Sequence, residues 1–273
     1  MIEKATYINH LGEEFRFGEG GVYLNCGGLR DFTWTATKKN NRLVTFDKGV
    51  VQSKLSVVII AETEAQGIAT RNRLFEIAEK DVLAMQAGKI VVGEYYLNCY
   101  ITASVKSKYL TSGRYMSLTL TVQTDKPYWV KEATYSFYSG LAKPDYEYLD
   151  YEFDYDIDYL STYSRFLRNS GFTGMDFRLV IYGACVNPAI TIGDHLYQVK
   201  CTVNHGEKLV IDSREKTITI IDSARNETNV FNLRNRDSYI FRKIPAGNVA
   251  VSYDGEFDFD VVLYEERSEP KWT

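Results

Sequence analysis

Alternation of apolar and polar residues with a period of two dominates this chain, and a period near 3.6 interrupts it once. The first half opens with short β-like pieces: Glu3–Ile8, Phe32–Thr37, Leu43–Phe46 and the longer Lys54–Ile60. Turns at Gly18–Gly21 and Gly27–Gly28 punctuate them. The interruption is ETEAQGIATRNRLFEIAEKDVLAM (Glu62–Met85), where Ile68, Leu74, Phe75, Ala78 and Val82 fall close to one helical face. Thr63 is placed as its N-cap, with Gln66 as capping-box partner. Gly67 sits inside this helix at a cost of about 1 kcal/mol relative to Ala. After Gly88 the alternation returns in Lys89–Val92, Tyr95–Val105 and Tyr115–Thr124, with a polar turn at Thr111–Gly113. Within the last of these, SLTLTVQT has the pattern of a half-buried strand. This half closes at DKPYWV, where Pro127 stops a central strand.

The second half is denser in strands. DFRLVIYG, HLYQVKCTV, EKLVID, KTITIID, NVAVSYDG and FDFDVVLYEE recur at roughly ten-residue spacing, separated by Gly, Asn and charged turns. KLVIDSREKTITIID predicts a β-hairpin closed at Ser213–Glu215. No helical pattern of any length follows residue 90 or so. Many short strands at this spacing predict a sandwich or jelly-roll. The chain therefore divides, in expectation, into residues 1–130 (an α+β domain with one helix), a connector over residues 131–164, and an all-β domain over residues 165–273.

The connector holds the least ordinary pattern in the chain, DYEFDYDIDY (Asp150–Tyr159), an acid alternating with an aromatic or aliphatic residue. Three readings are open: a cation-binding tract, a disordered acidic linker, and a strand with one apolar and one charged face. Disordered acidic segments are poor in aromatics, whereas here the odd positions are Tyr151, Phe153, Tyr155, Ile157 and Tyr159. A calcium loop needs turn residues to fold carboxylates round an ion, and the stretch has none. The strand fits the pattern best, as an extended connector about 33 Å long. Its odd positions would face protein. Tyr151, Phe153, Tyr155, Tyr159 and, just upstream, Trp129 are accordingly the connector or interface candidates.

Composition narrows the picture further. A chain of 273 residues with 45% hydrophobic and 25% charged content is globular, and it is long enough to need no disulfide or metal for stability. Its 21 Tyr, 14 Phe and 3 Trp favour strands and contact surfaces. Net charge is −4, of which Tyr146–Leu160 carries −6, so the remainder sums to +2. That remainder lacks the basic footprint of specific nucleic-acid binding. Cys26, Cys99, Cys185 and Cys201 are scattered, as in reduced, mostly buried thiols. There is no signal-length apolar run and no 20-residue membrane span, so the expectation is a protein made soluble in a cytoplasm, with no membrane partner.

Catalytic chemistry is hard to find. His195, Cys201 and His205 cluster in sequence without metal-ligand spacing. Glu256, Asp258 and Asp260 alternate along one strand, about 7 Å apart, within the range of a glycosidase pair. Acids on an outer strand face also keep sheets soluble, and that reading is preferred. Trp34, Trp129 and Trp272 are of the type that stacks on sugars, although core or interface burial is the commoner fate. No nucleophile elbow, P-loop or zinc-protease helix motif occurs. The expectation is a non-enzyme with no catalytic residue, no metal and no cofactor.

The order of DKPYW, the acidic tyrosine-rich DYEFDYDIDY, DFRLVIYGACVNPAITI, GEKLVIDSREKTITI, KIPAGNVAVSY and ERSEPKW resembles the distal tail protein family of long-tailed, non-contractile bacteriophages of Gram-positive hosts. The resemblance spans essentially the whole chain. It implies a mainly β, two-domain structural virion protein at the tail tip, synthesised in the host cytoplasm. Its first domain would form a homo-hexameric ring with a central channel, joining the tail tube protein to the tail-associated spike protein. Its second domain would be a galectin-like β-sandwich that carries a receptor-binding protein or contacts host glycans. The alternative is a carbohydrate-binding sandwich acting in host attachment. The near-neutral charge outside the ribbon further implies a ring lumen that does not grip DNA.

Overall fold

The computed structural model describes residues 4–25, 27–109, 113–139 and 166–272. The chain forms two compact units, one of Met1–Lys131 with Glu266–Thr273 and one of Glu132–Glu265. The segment Glu266–Thr273, which the sequence pattern groups with the second domain, thus belongs to the first unit. Described residues are mainly strand, with one long helix, as the patterning predicts.

The first unit is antiparallel throughout. Its strands are β1 (Ala5–Ile8), β2 (Glu14–Phe17), β3 (Val22–Asn25), β4 (Thr35–Lys39), β5 (Arg42–Asp47), β6 (Val51–Ile60), β7 (Gly88–Val92), β8 (Tyr95–Tyr109) and β9 (Tyr115–Thr124), with the first residues of β10 (Trp129–Phe137), which runs on into the second unit. A short helix α1 (Gly27–Arg30) and the long helix α2 (Glu64–Ala84) complete it. β8 is the hinge of the architecture. Its first residues pair with β7 (Gly88↔Cys99 to Val92↔Tyr95) and the rest with β9 (Tyr100↔Gln123 to Tyr109↔Met116). One ladder therefore runs β2–β1–β7–β8 and the other β8–β9–β6–β3. Bulges at Ile101/Ala103 and Lys106/Lys108 bend the shared strand. Alternation does the rest. Leu55, Val57 and Ile59 of β6 and Met116, Leu118, Leu120 and Val122 of β9 turn inward onto Tyr7, Phe15, Phe17, Ile90 and Leu97.

α2 begins as its sequence dictates. Thr63 Oγ1 accepts from the Gln66 N–H at 3.2 Å. The return bond of the capping box is displaced by one residue, because Gln66 Oε1 accepts from the Glu62 N–H at 3.3 Å. Gly67 has a steric reason to be Gly: a Cβ there would lie 2.1 Å from the Gly113 carbonyl oxygen. The helix ends on Met85 in the left-handed region (φ 52°), whose N–H returns to the last turn.

The second unit is a β-sandwich. Its strands are β11 (Phe166–Asn169), β12 (Asp176–Tyr182), β13 (Cys185–Val186), β14 (Ala189–Ile192), β15 (His195–Gln198), β16 (Thr202–Val203), β17 (Lys208–Asp212), β18 (Thr217–Ile221), β19 (Glu227–Asn229), β20 (Gly247–Ser252) and β21 (Phe259–Arg267). One sheet runs β19–β18–β17–β12–β21 and the other β11–β20–β14–β15. Phe177, Leu179, Leu209, Ile211, Phe259 and Val261 of the first share a core with Leu167, Ile190, Ile192, Tyr197, Val249 and Val251 of the second. The rings of Phe177 and Tyr197 meet edge to face at 5.1 Å across that core. The β17–β18 hairpin forms where predicted, with Asp212↔Thr217 as its last pair and Lys216 at positive φ in the loop.

Candidate assembly surface

The hairpin of β4 and β5 stands apart from the core it belongs to. The two strands pair only with each other, turning through Asn40 and Asn41 at φ 50° and 58°, the signature of a type I′ turn. All their side chains except Ala36 are exposed, on both faces of the ribbon. Leu43, Val44 and Phe46 are among them, Phe46 at 58% exposure. An isolated two-stranded hairpin is at best marginal in water, so an apolar one without a covering layer points to a partner surface. Its tip is cationic: Lys38, Lys39 and Arg42 flank the turn.

The same holds for one side of α2. Leu74, Ile77 and Ala78 are buried against the unit's core, together with Asp81. Ile68, Phe75, Val82 and Leu83 are exposed, Phe75 at 61% and Leu83 at 78%. The sequence placed Ile68, Leu74, Phe75, Ala78 and Val82 on one face. The structure corrects this: at about 100° per residue Leu74 and Ala78 line the inner side, while Ile68, Phe75 and Val82, seven residues apart, form a second stripe on the outer side. α2 is apolar on two sides, and only one is covered.

Immediately after the hairpin lies a cation cage. Lys48, just after β5, is buried with its Nζ 4.6 Å from the ring centres of Trp34 and Tyr128 and 5.5 Å from that of Phe32. Nζ also donates to Ser268 Oγ at 2.8 Å and to the Pro127 carbonyl at 3.4 Å. Burial holds its pKa below the usual lysine value, and Glu266 only partly offsets this. The buried guanidinium of Arg30 donates to the Pro270 carbonyl at 2.8 Å and lies 4.0 Å from the ring centre of Trp272. Two caged cations thus fasten Glu266–Trp272 to the first unit. A pocket of about 30 Å³ beside Lys48, lined by Leu29, Val122 and Trp129, has room for little more than water.

The residues singled out from sequence are distributed as follows. Tyr151, Phe153, Tyr155 and Tyr159 lie outside the described residues. Trp129 is 2% exposed in the core of the first unit, its indole N–H donating to the Leu29 carbonyl at 3.2 Å, so it offers no free face. Trp34 belongs to the Lys48 cage and Trp272 to the Arg30 clamp. His195 Nε2 lies 2.8 Å from the Tyr239 carbonyl, and Cys201 is buried. Among the described residues no three His, Cys, Asp or Glu side chains converge as a metal site. Asp258 accepts from the Ser139 N–H and Asp260 from the Tyr182 hydroxyl, at 2.6 and 2.7 Å. The latter bond, with burial second, pushes the Tyr182 phenol up to about 12. No described helix is long and apolar enough to cross a membrane. Sequence reasoning missed the exposed hairpin and outer helix stripe as surfaces, because exposure has no one-dimensional signal in a strand or helix that alternates normally.

Solved phage proteins share this arrangement of two β-rich units. A chain of the phage P2 baseplate in its activated conformation with calcium aligns over 98% of this chain and 99% of its own, at a TM-score of 0.61 and 13% identity. The strontium form of that baseplate gives a TM-score of 0.61 at 14% identity, with coverage of 98% and 99%. The SPP1 Dit protein, described as a paradigm of the hub adsorption apparatus in phages infecting Gram-positive hosts, aligns over 96% of this chain and 99% of its own (TM-score 0.57, 11% identity). No protein-family model and no curated protein matches the sequence. The resemblance drawn from sequence motifs therefore holds at the level of the fold, over nearly the full length.

Proposed function

We propose that this chain is a structural, non-catalytic hub component of a phage tail tip, self-assembling through its first unit into a six-membered ring. The ring would join the tail tube protein on one side to the tail-associated spike protein on the other. The second unit, a sandwich, would hold a receptor-binding protein or touch host-surface glycans. The observation that carries the reading is the end-to-end fold match to phage baseplate and hub proteins. The uncovered apolar hairpin and helix stripe supply contact area of the kind a ring needs. In this reading host cytoplasm is where the chain is made. Light scattering of the purified protein tests it: the expected mass is about six times the 31.3 kDa of one chain. A monomer with tight, specific binding on a glycan array would instead establish the carbohydrate-binding alternative.

A further inference from the structure

We propose that the β4–β5 hairpin of one copy lies along the outer stripe of α2 on the next copy, a contact that rests on the assembly reading above. Both surfaces are uncovered in the single chain. A protein that leaves an apolar two-stranded ribbon and an apolar helix face in water needs to cover both.

Charge decides which surface meets which. The stripe of Ile68, Phe75, Val82 and Leu83 is accompanied on its own side by Glu64, Glu76 and Glu79, all exposed. The cations of this helix are engaged elsewhere: Lys80 pairs with Glu13 at 2.8 Å, Arg73 donates to the Glu14 carbonyl at 3.0 Å, and Arg71, beside the stripe, is half-buried and donates to the Gly113 and Tyr115 carbonyls at 2.8 and 3.0 Å. The exposed charges left along the stripe are therefore acidic. Two such stripes from two copies would place like charges face to face, which is unfavourable for helix pairing through this side. The hairpin supplies the opposite sign, with Lys38, Lys39 and Arg42 around its turn and Leu43, Val44 and Phe46 in its stem. Among the described residues Lys38, Lys39 and Arg42 have no ion-pair partner within the chain, nor have Glu76 and Glu79.

Lengths agree as well. Ile68 to Leu83 covers about 22 Å of helix at 1.5 Å per residue. A six-residue strand extends about 20 Å. Because hairpin and helix are different surfaces, the contact is head to tail, the type that can close into a ring rather than a two-fold dimer.

The test is a charge-reversal cycle on the full-length chain, read by light scattering and dissociation on dilution. Lys38→Glu with Lys39→Glu, and separately Glu76→Lys with Glu79→Lys, should each weaken association about tenfold or more, and all four together should restore it. Circular dichroism checks that each variant stays folded. As a second measurement, Val44→Cys and Phe75→Cys chains carrying different tags are mixed and oxidised, and a covalent pair joining the two tags is expected. An oligomeric wild type indifferent to both reversals, or unable to form the mixed disulfide, overturns this contact while leaving the ring reading intact. Tighter association of the Glu76→Lys/Glu79→Lys chain also overturns it, in favour of stripe-to-stripe pairing. A monomeric wild type removes the assembly reading and this contact together.

Discussion

Asp81 is fully buried, and three donors hold it. The Tyr7 hydroxyl reaches Oδ2 at 2.5 Å, while the His10 N–H and ring Nδ1 reach Oδ1 at 2.9 and 2.6 Å. A buried carboxylate is tolerable only when it is satisfied this way, and the close fit leaves no room beside it. A Cβ on Gly88 would lie 2.3 Å from Asp81 Oδ2 and 2.6 Å from the Tyr7 hydroxyl. Gly88→Ala should therefore cost about 2 kcal/mol or more, a fall of several degrees in the thermal midpoint. Gly49→Ala, which meets nothing within 4 Å, should stay within about 0.5 kcal/mol of wild type. Calorimetry of the two variants separates them, and equal midpoints would refute the packing account. None of this was legible beforehand. In sequence Asp81 looks like one more solvated helix acid, because its partners Tyr7 and His10 lie more than 70 residues away.

At the scale of elements, the Lys48 cage carries a pH signature. A lysine whose pKa is depressed by burial releases its proton more readily in the folded than in the unfolded chain. Between the depressed value and the ordinary 10.5 the unfolded state binds more protons, so stability rises with pH across that window. The stability difference between wild type and Lys48→Met should accordingly shift in favour of wild type as pH climbs toward 10.5, measured by urea unfolding at several pH values. A difference independent of pH would show that Lys48 titrates normally. α2 itself was legible in detail, from the Thr63 cap to the position of Met85, because helix caps and 3.6-residue periodicity are local signals. β9 was read at its observed bounds, since ten alternating residues leave little ambiguity. The four-residue β2 and β3 escaped notice, as strands that short show only two alternations. Which apolar face of α2 would be covered depends on what packs there, and the sequence pattern weighed Leu74 and Phe75 alike.

For the whole molecule, the decisive fact is that the second unit is inserted between Lys131 and Glu266 of the first. β10 and β21 carry the chain across the two divisions. Residues 266–272 then give Lys48 and Arg30 their Ser268, Pro270 and Trp272 partners. A chain ending at Glu265 should keep the second unit's transition while lowering that of the first by about 2–5 kcal/mol, since two buried cations each lose a bonded partner. Two-transition calorimetry reads both at once, and an unchanged first transition would make the segment dispensable.

That insertion also sets a clock. A ribosome adding about 5–20 residues per second needs roughly ten seconds to make Glu132–Glu265. Throughout that interval Lys48 has its Phe32, Trp34 and Tyr128 rings but not Ser268, and Arg30 lacks Pro270 and Trp272. If the chain assembles as proposed, the late arrival of residues 266–272 would favour pairing between finished chains over pairing between nascent ones.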